Sequence, residues 1–260
     1  MKPDFSEFSY GYAVTEELVA TSKALVVAAP VFPSLYEEGK SGGGYDVKIP
    51  FSGKPIFLQF KLSDYLKQIN SKEHRTGILS VPYYRMFLRP TKHSDQHNLL
   101  LELEKSGQSV FYIAPEFHLP VDLNDFYLKN AIVANSTAFT PMGIGLLPDD
   151  EEHYVVFKRG TTIGYRCSDM PLEIPRIPLK DGLESLVKFS GIQSRRLGYE
   201  GLNEIMEQML EVLTQGENQL QEHKSVDIGG LRRIISNRSI VESIGYIART
   251  FFDAQLLILP

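Results

Sequence analysis

Residues 42–61, GGGYDVKIPFSGKPIFLQFK, constrain the fold more tightly than any other stretch of the chain. They read as two strands joined by a tight turn at Phe51-Ser52-Gly53-Lys54, with Pro55 opening the second strand. With the turn centred between Ser52 and Gly53, Asp46 faces Gln59 and Lys61 follows two residues on. Side chains alternate along a strand, and opposed residues share a face. Asp46, Lys48, Gln59 and Lys61 therefore point to one side. Tyr45, Val47, Ile49, Ile56, Leu58 and Phe60 point to the other. A slip of one residue would turn that whole apolar set into water, so burial sets the register.

An Asp on one strand, followed on the next by an acid or amide and then a Lys two residues later, resembles the PD-(D/E)XK, or restriction-endonuclease-like, nuclease superfamily. The resemblance rests on Asp46 and on Gln59-Phe60-Lys61, preceded by Gly42, Gly43 and Gly44, and it covers roughly the first half of the chain. It implies an α/β fold, a mixed sheet flanked by helices, and Mg²⁺- or Mn²⁺-dependent endonuclease activity. It also implies that Asp46, Gln59 and the Phe60 carbonyl hold the metal, and that Lys61 is catalytic. Gln59 stands where the superfamily most often has an acid, which removes one negative ligand.

The chemistry suits the spacing. Opposed Cβ atoms lie about 4.5–5.5 Å apart, and Mg²⁺ takes oxygen ligands at about 2.1 Å. A lysine beside such a site orients the attacking water and offsets charge that develops on the phosphorus. The competing reading is an ordinary solvated Asp46–Lys61 cross-strand pair. Two further rivals are a non-catalytic interaction protein with a nuclease-like core, and an enzyme acting on another phosphorylated ligand.

A net charge of −5 sets a condition on the nuclease reading, since a dedicated DNA-binding module carries a basic excess. Any contact with nucleic acid, DNA favoured over RNA, must be a local patch. Candidates are Lys48, Arg85, Arg89 and Lys92, the last three in or just after the aromatic-basic run VPYYRMFLR. Aromatic and arginine side chains so interleaved serve base stacking and phosphate pairing, and they also fit a half-buried strand. Cys167 is the single cysteine, so no intramolecular disulfide forms and a cytoplasmic setting is expected. No signal pattern opens the chain and no apolar run approaches about 18 residues, so no membrane partner is expected.

Along the chain, Glu7–Lys23 reads as a helix with Phe8, Tyr12, Thr15, Val19 and Ser22 facing inward. In the suspected superfamily an acid on this helix reaches the metal through water. Glu16 is the candidate, with Glu17 next, against the alternative of solvated helix acids. Glu37 and Glu38 stand in the loop before the glycines. Ser94 or Asp95 caps a helix with Leu99, Leu100 and Leu103 on its apolar face and Gly107 as its stop. Its first turn holds Gln96 and His97, where backbone N–H groups favour anions.

SVFYIAP (109–115) reads as a central buried strand. His118, close to Glu116, offers an acid–base pair or a packed loop position. A short helix follows over Leu123–Asn130, then a hairpin across Lys158-Arg159-Gly160. IPRIPL (174–179) reads as a linker because its prolines stop helix and strand alike. The expected organisation is a nuclease-like core with a β-hairpin over 1–175 and a helical region over 176–260. The helical region packs on the core or on a second copy, making homo-oligomerisation a possible consequence. Beyond the linker a short helix is expected over Leu183–Phe189. Tyr199–Gln221 reads as a long amphipathic helix, and a second follows the break at Gly229-Gly230. The apolar tail 256–260 must pack on something.

Overall fold

The structure is a computed structural model that describes residues 1–21, 54–92, 96–167, 170–182, 198–219, 226–252 and 254–259. The described residues are α/β, built on two five-stranded sheets with helices around them. Strand β1 (Lys54–Phe60) runs antiparallel to β10 (Gln255–Leu259) on one side and parallel to β4 (Ser109–Pro115) on the other. Antiparallel β5 (Ser136–Phe139) and β9 (Ile177–Pro178) complete this mixed sheet. The second sheet is antiparallel throughout, in the order β2 (Ser63–Leu66), β3 (Tyr83–Leu88), β6 (His153–Phe157), β7 (Ile163–Cys167), β8 (Leu172–Pro175).

Alternation along β1 assigns its faces. Ile56, Leu58 and Phe60 join Tyr10, Ala13, Val14 and Leu18 of helix α1 (Glu7–Thr21) in one buried cluster. Phe57 points the opposite way, into the larger core. That core includes Leu100 and Leu103 of α3 (Gln96–Lys105), Ile144 of α5 (Pro141–Ile144) and residues of α6 (Tyr199–Gln219), α7 (Ile228–Ile235) and α8 (Ile240–Phe252), while Leu123 and Phe126 of α4 (Pro120–Leu128) pack on the α1 cluster. The parallel step from β1 to β4 passes through β2, the short helix α2 (Lys72–Arg75), β3 and α3. Parallel neighbours require a long crossover, and α3 supplies its helix. All seven residues of β4 are buried, as expected of a central strand.

Several expectations are corrected. Phe8 and Tyr12 are exposed, and the inward stripe of α1 is Tyr10, Ala13, Val14 and Leu18. Residues 47–49, expected as the hairpin partner of β1, lie outside the described residues. Over Ile56–Leu58 both hydrogen-bonding edges of that strand are taken, by β10 and by β4, and a strand has only two. IPRIPL is not a linker: β8 and β9 lie within 172–178, with Arg176 between them. Both are edge strands among the described residues, where proline is tolerated because one row of N–H groups needs no ladder partner. Gly229-Gly230 does not break a helix either. It forms the first turn of α7, capped by Asp227, whose carboxylate accepts from Gly230 N at 2.8 Å. The expected second long helix is two, α7 and α8. Leu183–Phe189 lies outside the described residues.

Candidate functional site

Gln59 and Lys61 project from the same face of the β1 segment, as alternation requires, and meet the first residue of α3. The Lys61 ammonium donates to Gln96 Oε1 at 3.2 Å. Gln96 Nε2 donates to Gln59 Oε1 at 2.9 Å, and Gln59 Nε2 donates to the Phe60 carbonyl at 3.0 Å. The direction of this chain is fixed at both ends. An ammonium can only donate and a carbonyl can only accept, so each amide between them has one allowed orientation. All three side chains are at least nine-tenths buried: Lys61 is 7% exposed, Gln59 3% and Gln96 3%.

His97, the next residue of α3, performs the matching task on the neighbouring strand. Gly145 O can only accept, so His97 Nε2 donates to it at 2.8 Å. His97 Nδ1 is then left to accept from the Tyr112 hydroxyl at 3.1 Å. Tyr112 on β4 is the registered neighbour of Gln59 on β1. The first turn of α3 thus ties the two parallel strands at one level, Gln96 on β1 and His97 on β4. Burial pushes His97 down to about 4, which agrees with a neutral ring in these hydrogen bonds.

The remaining site candidates separate. Asp46, Lys48, Glu37, Glu38 and Gly42–Gly44 lie outside the described residues. Glu16 is not brought to Lys61: α1 packs on the Ile56/Leu58/Phe60 face, across the sheet from Gln59 and Gln96. There Glu16 sits near Tyr127, whose hydroxyl is held above its ordinary value by a hydrogen bond with Tyr12 and by the Glu16 charge. Glu17 has a structural task. Its buried carboxylate accepts from Ile132 N at 2.6 Å and Val133 N at 3.1 Å, capping the short turn 133–135.

Of the expected basic patch, Arg85, Arg89 and Lys92 are among the described residues. VPYYRMFLR supplies strand β3, and Arg85 is engaged internally by Glu73 at 2.6 Å, with its guanidinium 4.5 Å over the Tyr154 ring. Burial alone would raise Glu73. Hydrogen bonds from Tyr83, Tyr154 and Arg85 outweigh it and hold the carboxyl below its ordinary range. Arg85 therefore neutralises a buried acid. Lys92 lies 3.8 Å from Glu151, and Arg89 is exposed. Glu116 and His118 do not form an acid–base pair. Glu116 is gripped by Arg176 with Arg159 3.9 Å away, while His118 stacks on Tyr65 at 4.3 Å between ring centroids.

The described residues do not by themselves suit a divalent cation. Gln59 Oε1 and the Phe60 carbonyl both accept hydrogen bonds within the chain just traced. Among the described residues no group of three or more His, Cys, Asp or Glu is placed to hold a metal ion. None of the described helices is long and apolar enough to cross a membrane. No protein-family model, no curated protein and no solved structure matches the chain.

Proposed function

We propose that the chain is a nuclease of restriction-endonuclease-like fold that hydrolyses phosphodiester bonds in nucleic acid, DNA before RNA, with Lys61 as its catalytic cation. The carrying observation is the seating of Lys61. The residue stands one position past the carboxyl end of β1, beside the parallel strand β4, buried and hydrogen-bonded on the same face as Gln59. Ligands of open α/β sheets bind outside the carboxyl ends of parallel strands. An ammonium held there in low-dielectric surroundings acts on charge that appears at phosphorus in the transition state. The metal half of the reading, Mg²⁺ or Mn²⁺, depends on Asp46, because the described donors are already engaged.

The test is cleavage of linear DNA and of RNA with each metal and with a chelator. Wild type is expected to cut only with metal. Lys61→Ala is expected to lose a hundred- to a thousandfold in rate, about 2.7–4 kcal/mol of transition-state stabilisation, while keeping its circular dichroism. Activity that persists in chelator, or that survives Lys61→Ala, overturns the mechanism.

One observation favours a second reading, a non-catalytic interaction protein. The chain from Lys61 to the Phe60 carbonyl is satisfied by protein groups alone. A wild type silent on every substrate and metal selects that reading.

A further inference from the structure

Gln96 lies 35 residues from Lys61 and 37 from Gln59 in sequence, yet its one amide contacts both. We propose that Gln96 is the positioning residue of the site: it seats the Lys61 ammonium and, through Gln59, fixes which atom meets the Phe60 carbonyl. The functional half of this inference rests on the nuclease reading above; the structural half does not.

The argument is one of donor and acceptor count. Lys61 brings donors only and the Phe60 carbonyl brings an acceptor only, so two intervening amides can satisfy both ends in a single arrangement. Gln96 must turn its oxygen to Lys61 and its nitrogen to Gln59. Gln59 must then turn its oxygen to Gln96 and its nitrogen to Phe60. Burial makes that arrangement hard to leave, since a mis-turned amide would strand a donor against a donor away from water.

Position 96 also has rigid support. It is the first residue of a ten-residue helix whose next residue, His97, is fixed to β4 through Tyr112. Gln59, which resembles a metal ligand by its place in the motif, is here a link that transmits the position of Gln96. A primary amide is the group that serves at 96, because it both accepts and donates. A glutamate would accept from Lys61 but has no proton for Gln59 Oε1, and a methionine offers neither group.

The experiment is nitrogen-15 NMR of the side-chain amides, with Gln59 and Gln96 signals assigned by single substitution, on wild type and on Lys61→Met. The methionine nearly matches lysine in length and removes the ammonium, its donors together with its charge. Loss of that donor is expected to shift the signals of both Gln96 and Gln59, although Gln59 does not touch Lys61 in the chain described. A shift confined to Gln96, or to neither, overturns the relay.

The functional arm compares turnover of wild type and Gln96→Met on linear DNA with Mn²⁺. The expected result is a fall in kcat of at least tenfold with KM within about twofold, because the substituted residue positions the reacting group without binding substrate. An equal loss in a fold-only control, Glu17→Gln on the opposite face, shows a general stability effect and overturns the positioning role. If wild type cuts nothing, the nuclease reading fails, and the spectra still decide the relay.

Discussion

A carboxylate at position 59 would set a charged oxygen against the Phe60 carbonyl, where Gln59 Nε2 now donates at 3.0 Å. Gln59→Glu is therefore expected to destabilise the metal-free protein by about 1–3 kcal/mol, the range for a buried group left without a partner. A divalent cation between the two oxygens would reverse the effect. Thermal unfolding of the variant with chelator and with Mn²⁺ checks this, and a melting temperature indifferent to metal removes position 59 from any metal site. The placement of Gln59 and Lys61 on one face was legible in the sequence, because strict alternation with Ile56, Leu58 and Phe60 leaves one way to bury the apolar set. Gln96 was not legible as their partner. Its contact depends on how the crossover from β1 to β4 lands α3, a tertiary fact that no spacing within either segment encodes.

Helix α1 shows where periodicity alone misleads. Its two exposed aromatics, Phe8 and Tyr12, sit at helical spacing and look like a core stripe, yet the packed face runs through Tyr10, Ala13, Val14 and Leu18. Gly11 explains the choice, because a Cβ there would come within 2.9 Å of the Phe60 ring. The absent side chain lets the helix close on β1. Gly11→Ala, which favours a helix by about 1 kcal/mol on propensity, is expected instead to destabilise by about 1–2 kcal/mol through overpacking. Phe60→Leu in the same chain should recover part of that loss in urea unfolding, and simple additivity would rule the contact out.

Helix α3 and strand β4 were legible, since a buried apolar run and leucines at amphipathic spacing each carry local signals; Ser94 and Asp95, expected as the cap, lie outside the described residues. The edge strands β8 and β9 were not legible, because their prolines read as breaks unless the edge position is known. The α3–β4 tie also sets a pH dependence. Burial lowers His97 from 6.5 to about 4, so between those values the unfolded chain binds more protons than the folded one. Stability then rises with pH across that window and is lost as pH falls from about 6.5 towards 4, by on the order of 3 kcal/mol. His118, also held down by burial, acts in the same direction. Unfolding free energies at pH 7, 5.5 and 4 check the slope, and His97→Gln should flatten it.

At the scale of the whole molecule the two ends of the described chain meet on one strand. Helix α1 covers one face of β1, and β10 supplies the hydrogen bonds of its edge over Lys54–Leu58. The C-terminal helices share the core of the mixed sheet: α6 and α8 contribute Leu202, Met209, Leu213, Ile244, Ile247 and Phe252 to the cluster that contains Phe57 and Leu100. The amphipathic character of α6 was readable from its spacing, while the division of the following stretch into α7 and α8 was not. That the apolar tail becomes a strand was not, since five apolar residues carry no partner's address and antiparallel pairing with β1 is settled only when α8 hands the chain back to the sheet. Ending the chain after Phe252 should therefore do more than trim a terminus. It would leave a row of β1 N–H and C=O groups open beside Gln59, a template for pairing with other chains. The expected result is loss of a single cooperative urea transition, with association rising with concentration in sedimentation. Gln255→Pro, which removes one N–H at the first residue of β10 without deleting the strand, should weaken the fold less than truncation. A truncated protein that stays monomeric and unfolds at the wild-type midpoint would show that β10 adds nothing to the sheet, and would leave the seating of Lys61 to α3 and β4 alone.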